Sequence, residues 1–485
     1  MEPAERRAKI VATVGPASAE EKVLRRLLRA GVDVVRLNAS HGTREQHREL
    51  VERVHRLGAE GGRQVGVMLD LMGPRYRLGE LADPVRLRKG QQVTLGADKG
   101  ADLPVSDPHL LGYVRAGERL LIDNGLVELR VERKVRRRLQ ARVVSAGTVS
   151  SRKGINLPDS ELPFTISEKD RDDLEMAVHA GADFLAASYV GSARDVEAIR
   201  KLVVAAGGDL PIVAKLERSR AVEHLEEIVL AADAVMVARG DLGVEIELHQ
   251  VPVIQKRIIE TGWRHGKSVI VATQMLESMM EHPRPTRAES SDIANAVFDG
   301  ADALMLSGET AAGRYPVESV VTMDRIVREA ERHQRSRDTG LQGGLVHGPY
   351  DVEPASLPGT LEIPETISAA AVLSARQLGA VRIVALTKGG FTARRLAMRR
   401  PSTPVLAFTQ DVTTARRLQL VWGVRPFLMT GDVKHHDEVV GLVDRCLLAA
   451  KLARPGDCIA ILMGDPIQER PPTNLLRLHR VRAES

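Results

Sequence analysis

Short apolar segments rich in Val, Ile, Leu and Ala recur along the first two thirds of the chain, and each precedes a segment with helical periodicity. Near-continuous apolar strands that alternate with helices are typical of a parallel sheet buried on both faces. Eight such units predict an α/β fold, the closed (β/α)8 or TIM barrel. The predicted strands span residues 9–15, 34–38, 65–70, 184–188, 211–215, 234–238, 268–273 and 303–306.

Polar residues before several helical segments have the spacing of N-terminal caps. A Ser or Thr side chain caps a helix well when an acidic residue or Gln stands three positions later. This spacing predicts three helix starts, at Ser18 with Glu21, Thr43 with Gln46 and Ser167 with Asp170.

The regular strand spacing breaks between the third and fourth predicted strands. Residues 79–157 read instead as short β-strands, and Asp123-Asn124-Gly125 is a strong hairpin signal. We therefore predict a small inserted β-barrel domain at 79–157, with the catalytic barrel formed by 1–78 and 158–335. A domain inserted at the carboxyl side of the barrel strands is placed to act as a lid.

The chain becomes rich in Gly and Pro after the barrel segment, in the run DTGLQGGLVHGPYDVEPASLPG. Such a run predicts a linker, which we place at 336–360. Residues 361–485 again alternate helical and strand patterns. They predict an independent C-terminal α/β domain at 361–485.

Composition excludes several classes of function. The 485 residues carry a net charge of only +5 and 3% aromatic residues, so nucleic-acid binding is not expected. The densest basic run, Arg133 to Arg138, is either a solvated strand face or an anion-facing surface. Two cysteines, Cys446 and Cys458, argue against a disulfide framework and for the cytoplasm. We expect neither a signal peptide nor a membrane span.

Residues at the predicted strand ends were considered together, because active sites of such barrels lie at the carboxyl ends of the strands. The set combines cations, hydroxyls and carboxylates, as a site for an anionic substrate and a metal would. Its members are Pro16, Ser18, Arg36, Asn38, Ser40, His41, Asp70, Arg75, Arg77, Ser188, Lys215, Glu217, Arg239, Asp241, Thr273, Ser307 and Glu309.

Two carboxylates in this set suit a hard divalent cation. Lys215 and Glu217 are two positions apart at a strand end, so both side chains point to the same side. Asp241 follows the sixth strand in the sequence ARGDLG. Oxygen ligands of this kind bind Mg²⁺, which usually keeps water or substrate oxygens as well. An ion pair of Lys215 with Asp241 or Glu217 that stabilises the barrel explains the same pattern, and spacing alone leaves both interpretations open.

Three cations are expected at the same mouth of the barrel: Arg36, Arg77 and Lys215. Phosphoryl transfer needs such cations, together with a metal, to stabilise charge on the moving group. The sequence contains no GxxxxGK[ST] loop and no GxGxxG followed by a helix. A bound nucleotide would therefore not be held by a P-loop or a Rossmann turn.

The C-terminal segment has an anion candidate of its own. A predicted strand ends in Thr387-Lys388-Gly389-Gly390, and a helix is predicted from Thr392. Amides, hydroxyls and a lysine at a helix N-terminus suit a phosphate group. A simple Gly-containing turn accounts for the same residues, and both readings stay open.

Long stretches of the chain resemble pyruvate kinase. The resemblance rests on KIVATVGPAS, VVRLNASHG, LDLMGPRYR, LLIDNGLVEL, RKGINLP, IVAKLE, VMVARGDLGVEI, LTKGGFTARRLAMRRP and a long run from Ala272 to Pro316. It implies the barrel, the β lid, the C-terminal α/β domain and a homotetramer. It also implies transfer of the phosphoryl group of phosphoenolpyruvate to ADP, giving pyruvate and ATP, the last step of glycolysis.

The resemblance assigns a role to each matching residue. Lys215 and Arg36 correspond to the cations at the transferring phosphoryl group, and Glu217 and Asp241 to the ligands of Mg²⁺ or Mn²⁺. Thr273 corresponds to the residue tied to protonation of the enolate. Further substrate contacts are implied for Gly240, Asp241, Thr273 and Ser307. Nucleotide contacts are implied for Pro16, Asn38, His41, Arg77 and Lys153, with Arg77 also in the catalytic set.

Two departures from the family pattern carry predictions. The usual Asp-Thr-Lys-Gly-Pro-Glu is Asp70-Leu71-Met72-Gly73-Pro74-Arg75 here, and in the family a basic residue at the last position goes with independence from K⁺. Asn38, Ser40, Asp70 and the Leu71 carbonyl are the K⁺ ligands that the resemblance implies. We predict weak or absent K⁺ activation, because Arg75 supplies the charge.

The second departure from the family pattern lies in a C-terminal loop and concerns the effector. The loop DPIQERPPTN lacks the Gly-rich run that the family usually has before Thr-Asn. We therefore do not expect a fructose-bisphosphate effector. Another sugar-phosphate or nucleotide effector remains compatible with Thr387, Lys388, Gly389 and Thr392.

Two other classes of function compete with the kinase. A metal-dependent aldolase or lyase on the same barrel would use Glu217 and Asp241 but would not need Lys153, Arg77 or a lid. A non-catalytic paralogue that binds only an effector would not need Lys215 or Thr273, both of which are present.

Overall fold

The computed structural model describes residues 6–98, 100–340, 362–429, 436–465 and 472–483. Its strands are β1 (Lys9–Val14), β2 (Val34–Asn38), β3 (Gly66–Asp70), β4 (Tyr76–Arg77), β5 (Val85–Leu87), β6 (Gln92–Gly96), β7 (Leu103–Pro104), β8 (Arg119–Ile122), β9 (Val127–Val135), β10 (Arg138–Val143), β11 (Gly147–Val149), β12 (Gly154–Asn156), β13 (Phe184–Ala187), β14 (Ile212–Leu216), β15 (Ala234–Ala238), β16 (Ser268–Ala272), β17 (Ala303–Leu306), β18 (Arg382–Leu386), β19 (Val405–Thr409), β20 (Val424–Leu428), β21 (Cys458–Met463) and β22 (Leu475–Arg480).

The helices are numbered in the same way. They are α1 (Glu21–Ala30), α2 (Arg44–Glu60), α3 (Leu110–Tyr113), α4 (Glu168–His179), α5 (Ala193–Ala205), α6 (Ser219–Glu223), α7 (Leu225–Ala231), α8 (Arg239–Glu245), α9 (Val251–Arg264), α10 (Arg287–Phe298), α11 (Gly308–Ala311), α12 (Pro316–Gly340), α13 (Glu362–Gln377), α14 (Phe391–Met398), α15 (Val412–Arg417) and α16 (His436–Ala449). None of these helices is both long and apolar enough to cross a lipid bilayer, a finding that covers the described residues.

Eight strands close into a parallel barrel in the order β1-β17-β16-β15-β14-β13-β3-β2. All eight sequence-predicted strands are confirmed. Every residue of β1, β3, β14 and β15 is buried, because the barrel interior packs on one side of each strand and the surrounding helices pack on the other. The carboxyl ends of the strands therefore meet at one mouth, where the site residues lie.

The capping signals are confirmed at two of three helices. Thr43 forms a complete capping box with Gln46, and Ser167 accepts a hydrogen bond from the Asp170 amide. The Ser18 prediction is wrong, because α1 begins later and its cap position is Glu20. The Ser18 hydroxyl instead accepts a hydrogen bond of 3.3 Å from the Gly15 amide, within the loop that follows β1.

The inserted segment at 79–157 consists mainly of β-strands, as expected, with one short helix, α3, that was not predicted. Together with β4, its strands form a seven-stranded sheet in the order β4-β12-β8-β9-β10-β6-β7 and a two-stranded sheet of β11 and β5. The predicted hairpin connects β8 and β9, with Asp123, Asn124 and Gly125 all at positive φ. In the basic run, Arg133 donates to Gln140 and Arg138 forms an ion pair with Asp98, as on a solvated strand face.

The C-terminal domain is a five-stranded sheet in the order β20-β19-β18-β21-β22. The last strand, β22, runs antiparallel to β21 and was not predicted. The predicted linker at 336–360 is also corrected at its start, because α12 continues to Gly340. The rest of that linker lies outside the described residues.

The C-terminal domain packs against the amino ends of the barrel strands. Leu420 is 2% exposed and belongs to the same apolar cluster as inward-facing residues of the barrel, such as Val11 and Met68. Lys9 donates to the Val424 carbonyl, 2.7 Å away. The mouth at the carboxyl ends is thus left for the site, while the opposite end is covered.

Candidate active site

A buried charged cluster lies at the mouth, centred on Lys215. Its ammonium nitrogen is 2.7 Å from Glu217 Oε1, 2.7 Å from the Ser188 hydroxyl and 3.3 Å from Asp70 Oδ1. The side chains of Lys215, Glu217 and Asp70 are 7%, 0% and 1% exposed, respectively. These residues stand at the ends of β14, β13 and β3, so the closure of the barrel brings them together.

Arg36 adds a second cation to this cluster. Its guanidinium donates 2.7 Å to Asp70 Oδ2 through Nε and 3.0 Å to the Thr13 hydroxyl through Nη1. Asp70 therefore lies between Arg36 and Lys215 and orients both. The arrangement presents two fixed cations at one end of the barrel, as a phosphoryl group requires.

The charges in the cluster shift its acid–base equilibria. Burial alone would raise the pKa of Asp70, but the charges of Lys215 and Arg36 more than offset it, so that pKa is lowered. Burial opposes the charge of Lys215, yet Asp70 and Glu217 raise its pKa and keep it protonated. For Glu217, burial raises the pKa, Lys215 opposes the rise and Asp241 adds to it.

The ion-pair interpretation of Lys215 is thus realised with Glu217, and the metal interpretation is compatible with it. Glu217 Oε2 accepts a 2.8 Å hydrogen bond from the Tyr189 amide, while the buried Oε1 is engaged by the ion pair with Lys215. The side chain of Asp241, on α8, forms no hydrogen bond or ion pair with a described residue. Since Asp241 raises the pKa of Glu217, the two carboxylates lie close enough to repel each other.

Such a pair fits Mg²⁺ or Mn²⁺, because a divalent cation would relieve the repulsion and would take oxygen ligands from both carboxylates. The described residues contain no group of three or more His, Cys, Asp or Glu side chains arranged for a metal. A two-carboxylate site would therefore leave the other positions to water or substrate oxygens.

Arg75 lies beside this acidic group. Burial alone would lower the pKa of Arg75, but the neighbouring Tyr189, Asp241 and Glu217 raise it. In the described part of the chain Arg75 forms no ion pair or hydrogen bond. Its charge is therefore available to the site as a whole rather than committed to one partner.

The oxygens implied for K⁺ already have partners. The Leu71 carbonyl accepts a 2.8 Å hydrogen bond from the Ser188 hydroxyl, and the Asn38 side-chain oxygen accepts one of 3.1 Å from the Ser40 amide. Asp70 is engaged by Arg36 and Lys215. The residues that the resemblance implies for K⁺ thus lie together at the ends of β2 and β3, next to Lys215.

Thr273 has an unusual backbone at the end of β16. Its φ is 69°, a left-handed conformation that is costly for a β-branched residue and typical of functional sites. The Thr273 hydroxyl accepts a 2.8 Å hydrogen bond from the Gly240 amide at the start of α8. Arg239 holds the same turn by donating to the Thr273 carbonyl at 2.7 Å. The predicted neighbours Gly240, Asp241 and Thr273 thus share one corner of the mouth.

Ser307 stands at the end of β17 and is supported by a buried carboxylate. Glu309, 2% exposed, accepts hydrogen bonds from the Ser307 amide at 2.7 Å and the Leu276 amide at 3.0 Å. Glu309 therefore ties the loop after β17 to the loop after β16. Its role here is to position the loops.

The predicted nucleotide contacts occupy the rim rather than the buried cluster. Arg77 lies on β4 and Lys153 just before β12, and these two strands pair where the lid joins the barrel. Lys153 forms a 2.9 Å ion pair with Asp123 of the lid hairpin. Pro16 and His41 are exposed, in the loops after β1 and β2.

Two residues of the site were missed by the sequence analysis. Tyr189 follows β13 at a φ of 60°, and burial raises its pKa. Glu245 of α8 is buried and accepts a 3.3 Å hydrogen bond from Asn156 of the lid. The available signal for Tyr189 was its position directly after the strand-end Ser188. Glu245 had no such signal, because its partner comes from the lid.

Only some residues of the candidate effector turn are exposed to bind a phosphate group. Lys388 and Gly389 are exposed, and the Lys388 carbonyl accepts a 2.8 Å hydrogen bond from the Thr414 hydroxyl. Thr392 points inward, since its buried hydroxyl lies 2.6 Å from that of Thr473. Most of the loop DPIQERPPTN, residues 466–471, lies outside the described residues.

The fold and the mouth together define a phosphotransferase of the barrel type, with a lid and a C-terminal α/β domain. Two family models match the chain: "Pyruvate kinase, barrel domain" over residues 5–320 and "Pyruvate kinase, alpha/beta domain" over residues 365–479. The chain belongs to the pyruvate kinase family.

Individual relatives agree with this assignment. Pyruvate kinase of Mycobacterium tuberculosis (strain CDC 1551 / Oshkosh) is 41% identical over 486 residues, covering 98% of each chain. Pyruvate kinase of Corynebacterium glutamicum is 41% identical over 485 residues, again with 98% of each chain covered. A crystal structure of a pyruvate kinase from Cryptosporidium parvum superimposes with a TM-score of 0.89 at 32% identity, covering 98% of this chain and 96% of that one.

Proposed function

We propose that this enzyme transfers the phosphoryl group of phosphoenolpyruvate to ADP through the charged cluster at the barrel mouth. The observation that carries the proposal is the buried Lys215, held among Asp70, Glu217 and Ser188 next to Arg36. Two fixed cations in a low-dielectric setting stabilise developing negative charge without reorganisation. The aldolase and the non-catalytic paralogue require no such pair.

In the reaction the bond between the phosphorus and the enol oxygen breaks, and a bond to the terminal phosphate oxygen of ADP forms. Lys215 and Arg36 neutralise charge on the moving phosphoryl group. Glu217 and Asp241 would hold Mg²⁺ or Mn²⁺, which supplies positive charge to substrate oxygens. The enolate left behind takes a proton on the side of Thr273, and Gly240 and Ser307 contact the substrate.

The nucleotide would lie between barrel and lid. Arg77 and Lys153 face its phosphates from the junction of β4 and β12, and Pro16, Asn38 and His41 line its remaining surface. The lid contacts the barrel rim, since Asn156 of the lid donates a 3.3 Å hydrogen bond to Glu245 of α8. Contact of this kind favours exclusion of water, which otherwise competes for the phosphoryl group.

A coupled assay with phosphoenolpyruvate and ADP tests the proposed reaction. We expect pyruvate to form in proportion to ATP, only when ADP and a divalent cation are both present. Consumption of the substrate without ADP would indicate a lyase. A protein that binds effectors but converts no substrate would indicate the paralogue.

Potassium is expected to have little effect on the rate, because Arg75 supplies a charge beside Asp241 and Glu217. The measurement is the initial rate in KCl and in NaCl at equal concentration. Arg75→Glu is expected to create K⁺ dependence, since it replaces the fixed charge by an acidic group. A large gain of the wild-type rate on replacing Na⁺ by K⁺ would overturn the role of Arg75.

Three further properties belong to the proposal. We infer a homotetramer from the family, a cytoplasmic location from the free Cys446 and Cys458, and a sugar-phosphate or nucleotide effector at the Thr387–Thr392 turn. The exposed Lys388 and Gly389 support such an effector site, whereas the inward-pointing Thr392 does not contribute its hydroxyl directly.

A further inference from the structure

A small cavity lies between the amino end of the barrel and the C-terminal domain, on the side of the barrel opposite to the mouth. Its volume is about 20 Å³. This is room for one occupant of roughly the size of a water molecule or a monatomic ion. The residues that line it include Trp263, Lys267, Ser268, Asp302, Arg394 and Arg400.

The lining has more positive than negative charge. Three lining residues are cations, namely Lys267, Arg394 and Arg400. Asp302 is the carboxylate of the lining. Asp302 is already engaged, because it accepts hydrogen bonds from Arg400 Nη2 at 3.0 Å and the Val269 amide at 2.8 Å. Lys267 is also engaged, donating 2.6 Å to the Ala232 carbonyl. The Ala232 carbonyl is neutral, and the charge of Asp233, which raises the pKa of Lys267 against the effect of burial, lies outside the cavity lining.

Arg400 has unused donors in this buried place. Its side chain is 10% exposed, and its guanidinium stacks 4.6 Å from the centre of the Trp422 ring. Nε and Nη1 are buried and have no hydrogen-bond partner within the described parts of the chain. A buried donor without an acceptor costs free energy, so an acceptor at this point would be stabilising.

Arg394 adds another cation to the lining of the cavity. Its Nη1 donates 2.9 Å to the Gly389 carbonyl, and it forms no ion pair with a described residue. Burial lowers the pKa of Arg394, which Asp233 opposes and the charge of Arg417 reinforces. Charged groups are rarely buried without a counter-charge.

We propose that this cavity binds one halide-sized anion, chloride in solution, between Arg400 and Arg394. The anion accepts the free hydrogen bonds of Arg400 and bridges the two domains, since Arg400 and Arg394 belong to the C-terminal domain and Lys267 and Ser268 to the barrel. The volume favours a monatomic anion over phosphate or carboxylate. The site is separate from the charged cluster at the mouth, whereas Arg394 also contacts the candidate effector turn through the Gly389 carbonyl.

Bromide gives the direct test, because it replaces chloride and scatters anomalously. Crystals of the wild-type protein grown without halide and soaked in NaBr are expected to show an anomalous peak within hydrogen-bond distance of Arg400 Nη1. Crystals of the Arg394→Gln protein, soaked under the same conditions, are expected to show no anomalous peak at this position. An ordinary water at this place in the bromide-soaked wild type would overturn the proposal.

Fluorescence gives the affinity in solution. The chain has two tryptophans, Trp263 and Trp422, and both lie at this interface. Titration with NaCl against sodium gluconate at constant ionic strength is expected to give a saturable change in wild type. Arg400→Gln is expected to weaken the apparent affinity at least about tenfold, since a charged hydrogen bond is lost.

Two further variants keep the result interpretable. Arg394→Gln covers the case that Arg400→Gln fails to fold, and it is expected to weaken halide binding as well. Arg399→Gln is the matched control, because Arg399 forms an ion pair with Glu365. Equal effects of Arg394→Gln and Arg399→Gln, or a wild-type signal that does not saturate, would contradict the site.

Discussion

Replacement of Glu217 by Gln is expected to lower kcat/KM by at least about a hundredfold and to raise the Mg²⁺ concentration needed for half-maximal rate. The carboxylate of Glu217 is fully buried, and the charge of Asp241 repels it and raises its pKa. Gln removes the negative charge that would bind the cation while keeping the size of the side chain. The measurement is the initial rate as a function of Mg²⁺ at saturating phosphoenolpyruvate and ADP.

Glu331→Gln is the matched control for that experiment. Glu331 is also a buried carboxylate, 3% exposed, but it binds the Ala8 amide at the opposite end of the barrel. Its replacement is expected to affect stability and to leave the Mg²⁺ requirement unchanged. An unchanged Mg²⁺ requirement in Glu217→Gln would remove Glu217 from the metal site.

Lys215→Met is expected to lower kcat by roughly a thousandfold, the order of magnitude that follows removal of a preorganised group that stabilises transition-state charge. Met fills a similar volume but provides no charge to the phosphoryl group. The pH dependence should change as well. Lys215 lowers the pKa of Glu217, so that pKa is expected to rise in the variant. Glu217 then becomes protonated at a higher pH, and the pH below which Mg²⁺ activation is lost rises with it.

The control for Lys215→Met is Lys9→Met. Lys9 is another buried lysine on a barrel strand, 7% exposed, and donates to the Val424 carbonyl at the amino end of the barrel. We expect this variant to be less stable in thermal unfolding but to keep most of its activity. Equal loss of activity in the two variants would point to a general effect of removing a buried lysine.

Much of the fold could be predicted from the sequence because the barrel strands are buried on both faces. That burial produces near-continuous apolar runs, and all eight were found in the correct place. The edge strand β22 was missed because its polar and apolar residues do not follow burial: His479 is buried beside Asp444, whereas Leu478 is 46% exposed. The start of the linker was wrong because the Gly-rich run does not stop α12 before Gly340.

Site residues could be predicted where polar or charged side chains stand at the carboxyl ends of barrel strands. Lys215, Glu217 and Arg36 were found in this way, and the structure brings them together around Asp70. Contacts between distant segments were not predictable, as Glu245 with Asn156 shows. Spacing also could not separate the ion pair from the metal site, because the same Glu217 uses one oxygen for the Tyr189 amide and directs the other to Lys215.

The central claim is that Lys215 stabilises the phosphoryl group during its transfer. Its most direct test compares two reactions in the same Lys215→Met protein. One is single-turnover phosphoryl transfer from phosphoenolpyruvate to ADP, and the other is exchange of solvent protons into the methyl group of pyruvate. We expect the transfer to fall by roughly a thousandfold while proton exchange largely persists, because Thr273, Glu217 and Asp241 remain in place. Unchanged transfer, or equal loss of both reactions in a folded protein, would contradict this role.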